Sequence, residues 1–331
     1  MFIYCEYNQA HIFGETSVMK KILANLLDFQ RKHFDWKVYL AIAAFLAICI
    51  AVNYRLDFED SYIDPYHGEP IKWLWMFLFH TFPYLVVCLI LLAFGKVENW
   101  ITNKSFWIRL IVGFGILSFD RSFYGVDYLS EFFTPRTFSF ISRCISWSSS
   151  LVIAVLPMLL AYHFLENDNP KIWYGLSLKK FDARPYLIML GIAAIFILIG
   201  SFLGDIQDYY PRFQHARMTP FLRETGWPKW MAVGLYELCY GSDFLSVELF
   251  FRGYLIFAFT RQLGPYVVLP MIATYCFLHF GKPLGESISS IFGGYVLGII
   301  SMNSRNVWGG VFIHVGVAWL MEFFGWWQSV R

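Results

Sequence analysis

Charged side chains are scarce in this sequence. Asp, Glu, Lys and Arg make up 15% of its 331 residues, against about 25% in an ordinary soluble domain. Apolar side chains fill the deficit at 57% of the chain, and the mean hydropathy is +0.50. So little charge cannot cover a soluble surface, so the bilayer is the expected solvent and membrane lipids are the expected surroundings. With a net charge of +2 the chain lacks a concentrated basic face, which excludes nucleic acid as a partner. The six cysteines, Cys5, Cys49, Cys88, Cys144, Cys239 and Cys276, include no C-x-x-C pair. Most fall in apolar runs and read as small buried hydrophobes. There is no H-E-x-x-H segment, which leaves a zincin-type zinc site unsupported. No secretory leader is apparent, because the first apolar run leads into further runs. No internal repeat suggests the paired halves found in many secondary transporters.

What the chain does have is a series of apolar runs. They fall at 36–52, 73–94, 106–119, 138–165 and 185–203. A polar, proline-containing loop follows at 204–228. Less purely apolar helices are expected near 229–241, 243–262, 266–280, 287–302 and 306–327. A spanning helix needs about 20 apolar residues, so the expected fold is all-α, a polytopic transmembrane bundle of about eight to ten membrane helices. Aromatic residues reach 21% and many sit at the ends of these runs, as interfacial belts require.

Lys20, Lys21, Arg31, Lys32 and Lys37 precede or open the first run, the loop 53–72 is acidic, and Lys171, Lys179, Lys180 and Arg184 make 166–184 basic again. Positive charge favours the cytoplasmic side, so a cytoplasmic N-terminus is expected. On a strict count Arg212, Arg217 and Arg223 would then face outside.

The chain also divides by chemistry. Residues 1–184 hold few ionisable groups at membrane depth and read as an N-terminal cytoplasmic segment with additional membrane helices. Residues 185–327 read as a helical core that carries the polar chemistry. Glu248 and Arg252 are four residues apart and share a helix face. A charge at the bilayer centre costs at least about 2.5–3.5 kcal/mol, so each needs a partner or a function. An ion pair that locks the helix is one reading; a carboxylate positioned to act on water is the other. His279 ends a helix just before Gly281 and Pro283, and His314 sits inside the last apolar run. Gly293, Gly294 and Gly298 read as helix-packing positions. Lys282 and Glu286 read as a local ion pair.

Taken in order, these segments resemble the CPBP family, the type II CAAX prenyl proteases and bacteriocin-processing (Abi-like) intramembrane proteins. Glu248-Leu249-Phe250-Phe251-Arg252-Gly253 is similar to that family's E-E-x-x-x-R-G motif. Tyr275 to His279 is similar to F-x-x-x-H, with Tyr for Phe. Gly294 to Gly298, Asn306-Val307-Trp308-Gly309-Gly310 and His314 resemble its last motif, H-x-x-x-N and the turn before it. Order and spacing agree across about 185–325. The resemblance implies an intramembrane endopeptidase acting on a membrane-associated peptide or prenylated-protein substrate in a bacterial inner membrane. A glutamate and the first histidine would activate water, and the second histidine would stabilise the oxyanion. On this carry-over Glu248, His279 and His314 are the expected catalytic residues, with Arg252 and Tyr275 supporting them. No cofactor is implied; a divalent metal at Glu248, His279 and His314 ranks below a metal-free mechanism.

Two motif positions depart from the family pattern. The first glutamate is Val247, and the asparagine is Ala318. Asp243 lies one turn before Val247 and Glu322 one turn after Ala318, each on nearly the same helix face, so Asp243 would approach the vacated glutamate position and Glu322 would stand near His314; Glu248 itself is the alternative base, with Arg252 turned away. The structural alternatives are a helix cap for Asp243, on a helix starting after Gly241, and an interfacial charge for Glu322. Two other functions remain open: a non-catalytic membrane scaffold or immunity factor on the same fold, and a proton-coupled carrier.

Overall fold

The computed structural model describes residues 18–167, 171–177 and 181–331. Cys5, Lys179 and Lys180 lie outside the described residues. Those described form helices and turns with no strand among them. In chain order the helices are α1 (Val18–His33), α2 (Trp36–Leu56), α3 (Phe58–Tyr62), α4 (Ile71–Ala93), α5 (Lys104–Ser122) and α6 (Pro135–Leu165). Then come α7 (Arg184–Gly200), the short α8 (Gly204–Tyr209), α9 (Arg212–His215) and α10 (Met218–Thr225), and α11 (Lys229–Phe257), α12 (Thr260–Phe277), α13 (Leu284–Ser304) and α14 (Trp308–Ser329).

Local chemistry sets several of the helix starts. Asp35 accepts from the Lys37 amide at 3.0 Å ahead of α2, and Asn103 from Phe106 at 3.2 Å ahead of α5. Thr134 caps α6, where Pro135 occupies the first helical position, a place that does not require its missing N–H. Asp243, by contrast, lies inside α11. Gly241 does not interrupt that helix, so the capping reading of Asp243 is corrected.

Five described helices, α2, α4, α6, α13 and α14, are long and apolar enough to cross a membrane, and a sixth span is counted if the bent pair α11–α12 is one crossing. This all-α bundle is an integral membrane protein. Fewer helices meet that length and composition than the eight to ten expected, for two reasons. The stretch 229–280, read as three helices, is a single pair bent by 49°. The run 106–119 belongs to α5, which carries Lys104, Arg109, Asp120 and Arg121, and α7 is only 17 residues long. The loop 204–228 is not irregular either, but holds α8, α9 and α10.

The N-terminal helices pack directly on the C-terminal ones. Tyr84 of α4, Phe114 of α5 and Phe250, Tyr254 and Phe259 beyond them share one buried cluster. The ring of Phe79 in α4 lies 5.2 Å from that of Phe277 in α12. Small residues set the closest approaches. Gly294 and Gly298 of α13 face Ile272 and Met271 of α12, and Gly309 and Gly316 of α14 face Tyr186 and Leu190 of α7, as close packing between membrane helices requires. Gly253 is the tightest of these in kind, because a Cβ there would stand 2.6 Å from the Tyr174 backbone oxygen. A backbone atom cannot swing aside as a side chain can. Gly253→Ala is expected to destabilise the protein by about 1–3 kcal/mol. Gly234→Ala, in open space within α11, is expected to be neutral or stabilising by up to about 1 kcal/mol. Thermal unfolding of the two variants in detergent tests the contrast.

Candidate active site

The site is built where α11 meets α12 and α14. The last α-helical turn of α11 ends at Glu248, and Leu249–Tyr254 continue it as a π-helical turn, a distortion often found at functional positions. Glu248 and Arg252 both remain on its inner face. Glu248 is 0% exposed and Arg252 1%, and Arg252 Nη1 stands 3.1 Å from Glu248 Oε1. The contact is an ion pair without hydrogen-bond alignment, since the guanidinium nitrogens and Glu248 Oε2 have no hydrogen-bonded protein partner among the described residues. The Arg252 cation lies 3.9 Å from the centroid of the Tyr275 ring, an attractive contact where water is excluded.

His314 of α14 completes this arrangement. Its Nδ1 is 3.0 Å from Glu248 Oε1, and its Nε2 is 3.4 Å from the Tyr275 hydroxyl. When Nδ1 carries the proton it donates to Glu248. The carboxylate then fixes ring orientation as the orienting acid does in a nucleophile–His–acid array. The ring also packs on Phe244, with centroids 4.2 Å apart. The glycine turn explains how α14 comes so close. A Cβ at Gly310 would collide with Glu248 Oε2, so the Gly309-Gly310 pair is a clearance for the buried carboxylate as well as a turn.

His279 approaches from the end of α12. Its Nδ1 is bonded to the Tyr275 carbonyl at 2.9 Å, which turns Nε2 away from its own helix. The turn that carries it is tied down from the outside: Ser287 Oγ donates to the His279 carbonyl at 2.6 Å, and the Gly281 amide donates to Glu59 Oε2 at 3.3 Å. Asp243, His279 and His314 all line one polar cavity of about 220 Å3, together with Val247 and Arg121. Arg121 of α5 stands 3.8 Å from Asp243 and 3.6 Å from Asp120. Glu248 is not among the lining residues; it acts on the cavity through His314.

The two departures have different surroundings. Val247, 6% exposed, lines the cavity where the family motif has its first glutamate, with Asp243 of the preceding turn on the same wall. Ala318 belongs to an apolar cluster with Tyr236, Tyr240 and Phe244. Glu322 points elsewhere, and its oxygens accept from the Arg212 and Phe213 amides at 2.7 and 3.1 Å. No group of three or more His, Cys, Asp or Glu side chains among the described residues is placed to hold a metal ion.

Sequence reasoning missed the N-terminal side of the cavity. Glu59, Asp60, Asp64 and Arg121 all line it. Burial, with Asp64 and Asp60 nearby, pushes the Glu59 carboxyl up to about 8. The signal lies in Asp120-Arg121, adjacent opposite charges closing an apolar run, and in the acidic stretch after α2, which on its own reads only as a marker of orientation.

Residues 244–320 match the family model described as type II CAAX prenyl endopeptidase Rce1-like. That segment is similar to this family. It covers Glu248, Arg252, Tyr275, His279 and His314 and spans less than half of the chain. No curated protein and no solved structure matches the chain.

The buried pair gives a stability prediction. Removing one partner strands the other charge, so Glu248→Met or Arg252→Met alone should cost about 3–5 kcal/mol, whereas the double variant should cost clearly less than the sum. Unfolding of all three variants in detergent closes the cycle. A strictly additive pair of penalties would show that Glu248 and Arg252 do not act on each other.

Proposed function

We propose that this protein is an intramembrane peptidase of the CAAX type, with a membrane-associated or prenylated peptide as substrate. The observation that carries the reading is the cavity that His279 and His314, both in the segment similar to type II CAAX prenyl endopeptidases, share with Asp243, which immediately precedes that segment. Amide hydrolysis inside a bilayer needs a wet enclosure, a proton acceptor and a donor for the developing oxyanion. In the proposed reaction, water held between Asp243 and His279 attacks the scissile carbonyl and gives its proton to the Asp243 carboxylate. The carbonyl oxygen becomes the oxyanion and accepts from Nε2–H of His314, which acts in its doubly protonated, imidazolium form with Nδ1–H held by the Glu248 carboxylate. The C–N bond then breaks, the leaving nitrogen takes the proton back through His279, and acid and amine products depart. Asp243 takes over here from the motif glutamate replaced by Val247. Glu248 and Arg252 are positioning residues, and Glu322 has no part in the chemistry.

The same reading puts the protein in a bacterial inner membrane with a cytoplasmic N-terminus, supported by the family resemblance and the Lys and Arg distribution. A second reading is a non-catalytic relative that keeps the fold as a scaffold or immunity factor. Two observations favour it: the apolar side chain of Val247 in the cavity wall, and Ala318 packed among aromatic rings.

Hydrolysis of a quenched prenylated peptide and of single transmembrane peptides by purified protein separates the two. Cleavage is expected from the wild type, with losses of about 100-fold or more in His279→Ala and Asp243→Asn. Glu248→Gln is expected to fall similarly by releasing His314. A folded wild type that cleaves none of the peptides would favour the scaffold reading. Full activity in Asp243→Asn would remove Asp243 as the base.

A further inference from the structure

Three cationic residues line the cavity: Arg121, Arg212 and Lys282. Two of them are already matched. Arg121 faces Asp120 and Asp243, and Lys282 Nζ lies 3.6 Å from Glu286. Arg212 is the exception, forming no ion pair among the described residues. Its guanidinium lies instead 4.1 Å from the centroid of the Tyr209 ring, and Tyr209 also lines the cavity.

The backbone beneath it is fixed. The Arg212 and Phe213 amides both donate to Glu322, which is 3% exposed on α14. One buried carboxylate thus ties α9 to the helix that carries His314. Stacking on Tyr209 uses the flat face of the guanidinium and leaves its edge donors free. A planar fork of donors held in place by an aromatic ring is suited to a carboxylate, which it can meet with two parallel hydrogen bonds. Of the other carboxylates lining the cavity, Asp64 is taken by Lys72 at 2.9 Å, Asp243 faces Arg121 and Glu59 accepts from the Gly281 amide, which leaves Asp60 as the one lining carboxylate without a partner of this kind among the described residues.

We infer that Arg212 is a specificity-determining residue that binds a carboxylate of the substrate peptide, at its C-terminus or on an acidic side chain. The inference rests on the peptidase reading. It also accounts for an arginine that the positive-inside pattern leaves on the unexpected face. Tyr209 and Glu322 are its positioning residues.

The test is equilibrium binding of fluorescent peptides to the 331-residue chain in detergent micelles. His279→Ala serves as the common background so that no peptide is cut. Four peptides of one sequence are compared: free acid or amide at the C-terminus, each with Asp or Asn at one internal position. Arg212→Gln is expected to weaken the free-acid Asp peptide by about 10- to 100-fold, and Arg212→Lys by less. A penalty that vanishes with the amide identifies the terminal carboxylate as the ligand, and one that vanishes with Asn identifies the side chain. Equal affinities of the Arg212 and Arg212→Gln proteins for all four peptides overturn the inference, as does the absence of any binding. Failure of the peptidase reading shows separately, as a wild type that leaves the peptides uncut while the Arg212-dependent difference in binding persists.

Discussion

A carboxylate and a guanidinium with almost no exposure to solvent set the terms for this structure. Taking either charge alone into a low-dielectric interior costs several kcal/mol, so Glu248 and Arg252 must travel together. Their pairing fixes the inner face of α11 through its π-helical turn. It then makes demands on every neighbour. Arg252 needs an electron-rich face, which Tyr275 supplies. The Arg252 carbonyl is met by Ser301 Oγ of α13 at 2.9 Å. Glu248 needs a hydrogen-bond donor, which is His314, and needs room, which is Gly310. Four helices are thus placed by one ion pair. The two histidines face a common cavity because α12 and α14 are both docked on that pair.

This explains a division of labour between carboxylates. Glu248 is too deeply enclosed to reach the cavity, and its useful contact is with a histidine ring. Asp243, one turn earlier and beyond Val247, lies on the cavity wall with Arg121 as counter-charge. A helix that presents one carboxylate inward and another to the cavity separates orientation from proton transfer. The N-terminal helices take part in this, since α5 supplies Arg121 and the segment after α2 supplies Glu59, which holds the turn of His279.

Much of the arrangement was legible in the sequence because membrane chemistry makes polar residues conspicuous. Glu248, Arg252, His279 and His314 stand out against apolar surroundings, and the spacing of four between Glu248 and Arg252 places both on one face. Asp243 was legible as a cavity residue by the same argument. What could not be read was where long-range packing would turn a side chain. Glu322 sits two helical turns past His314, about 12 Å along the axis, and that distance, together with the demand of two bare amides at 212–213, sends it to α9. Arg121 and Glu59 escaped notice because their role depends on α3 and α5 docking beside α12, a contact between parts of the chain far apart in sequence. Helix counting ran high for a related reason: a bent pair and a charged, partly buried helix read in sequence as separate spans.

The placement of Glu322 in turn bears on the site. A buried carboxylate must be compensated, and two backbone amides at the start of α9 do so without a cation. Glu322 can therefore hold α9 without neutralising the guanidinium of Arg212 through a salt bridge. Had the compensation come from the Arg212 side chain, the cavity would have lost its unpaired cation. Backbone donors keep it, and Tyr209 stacks with it. The segment between α7 and α11, a polar, proline-containing loop by sequence, is thus folded into short helices and anchored to α14. Its charge faces the same enclosure as the two histidines.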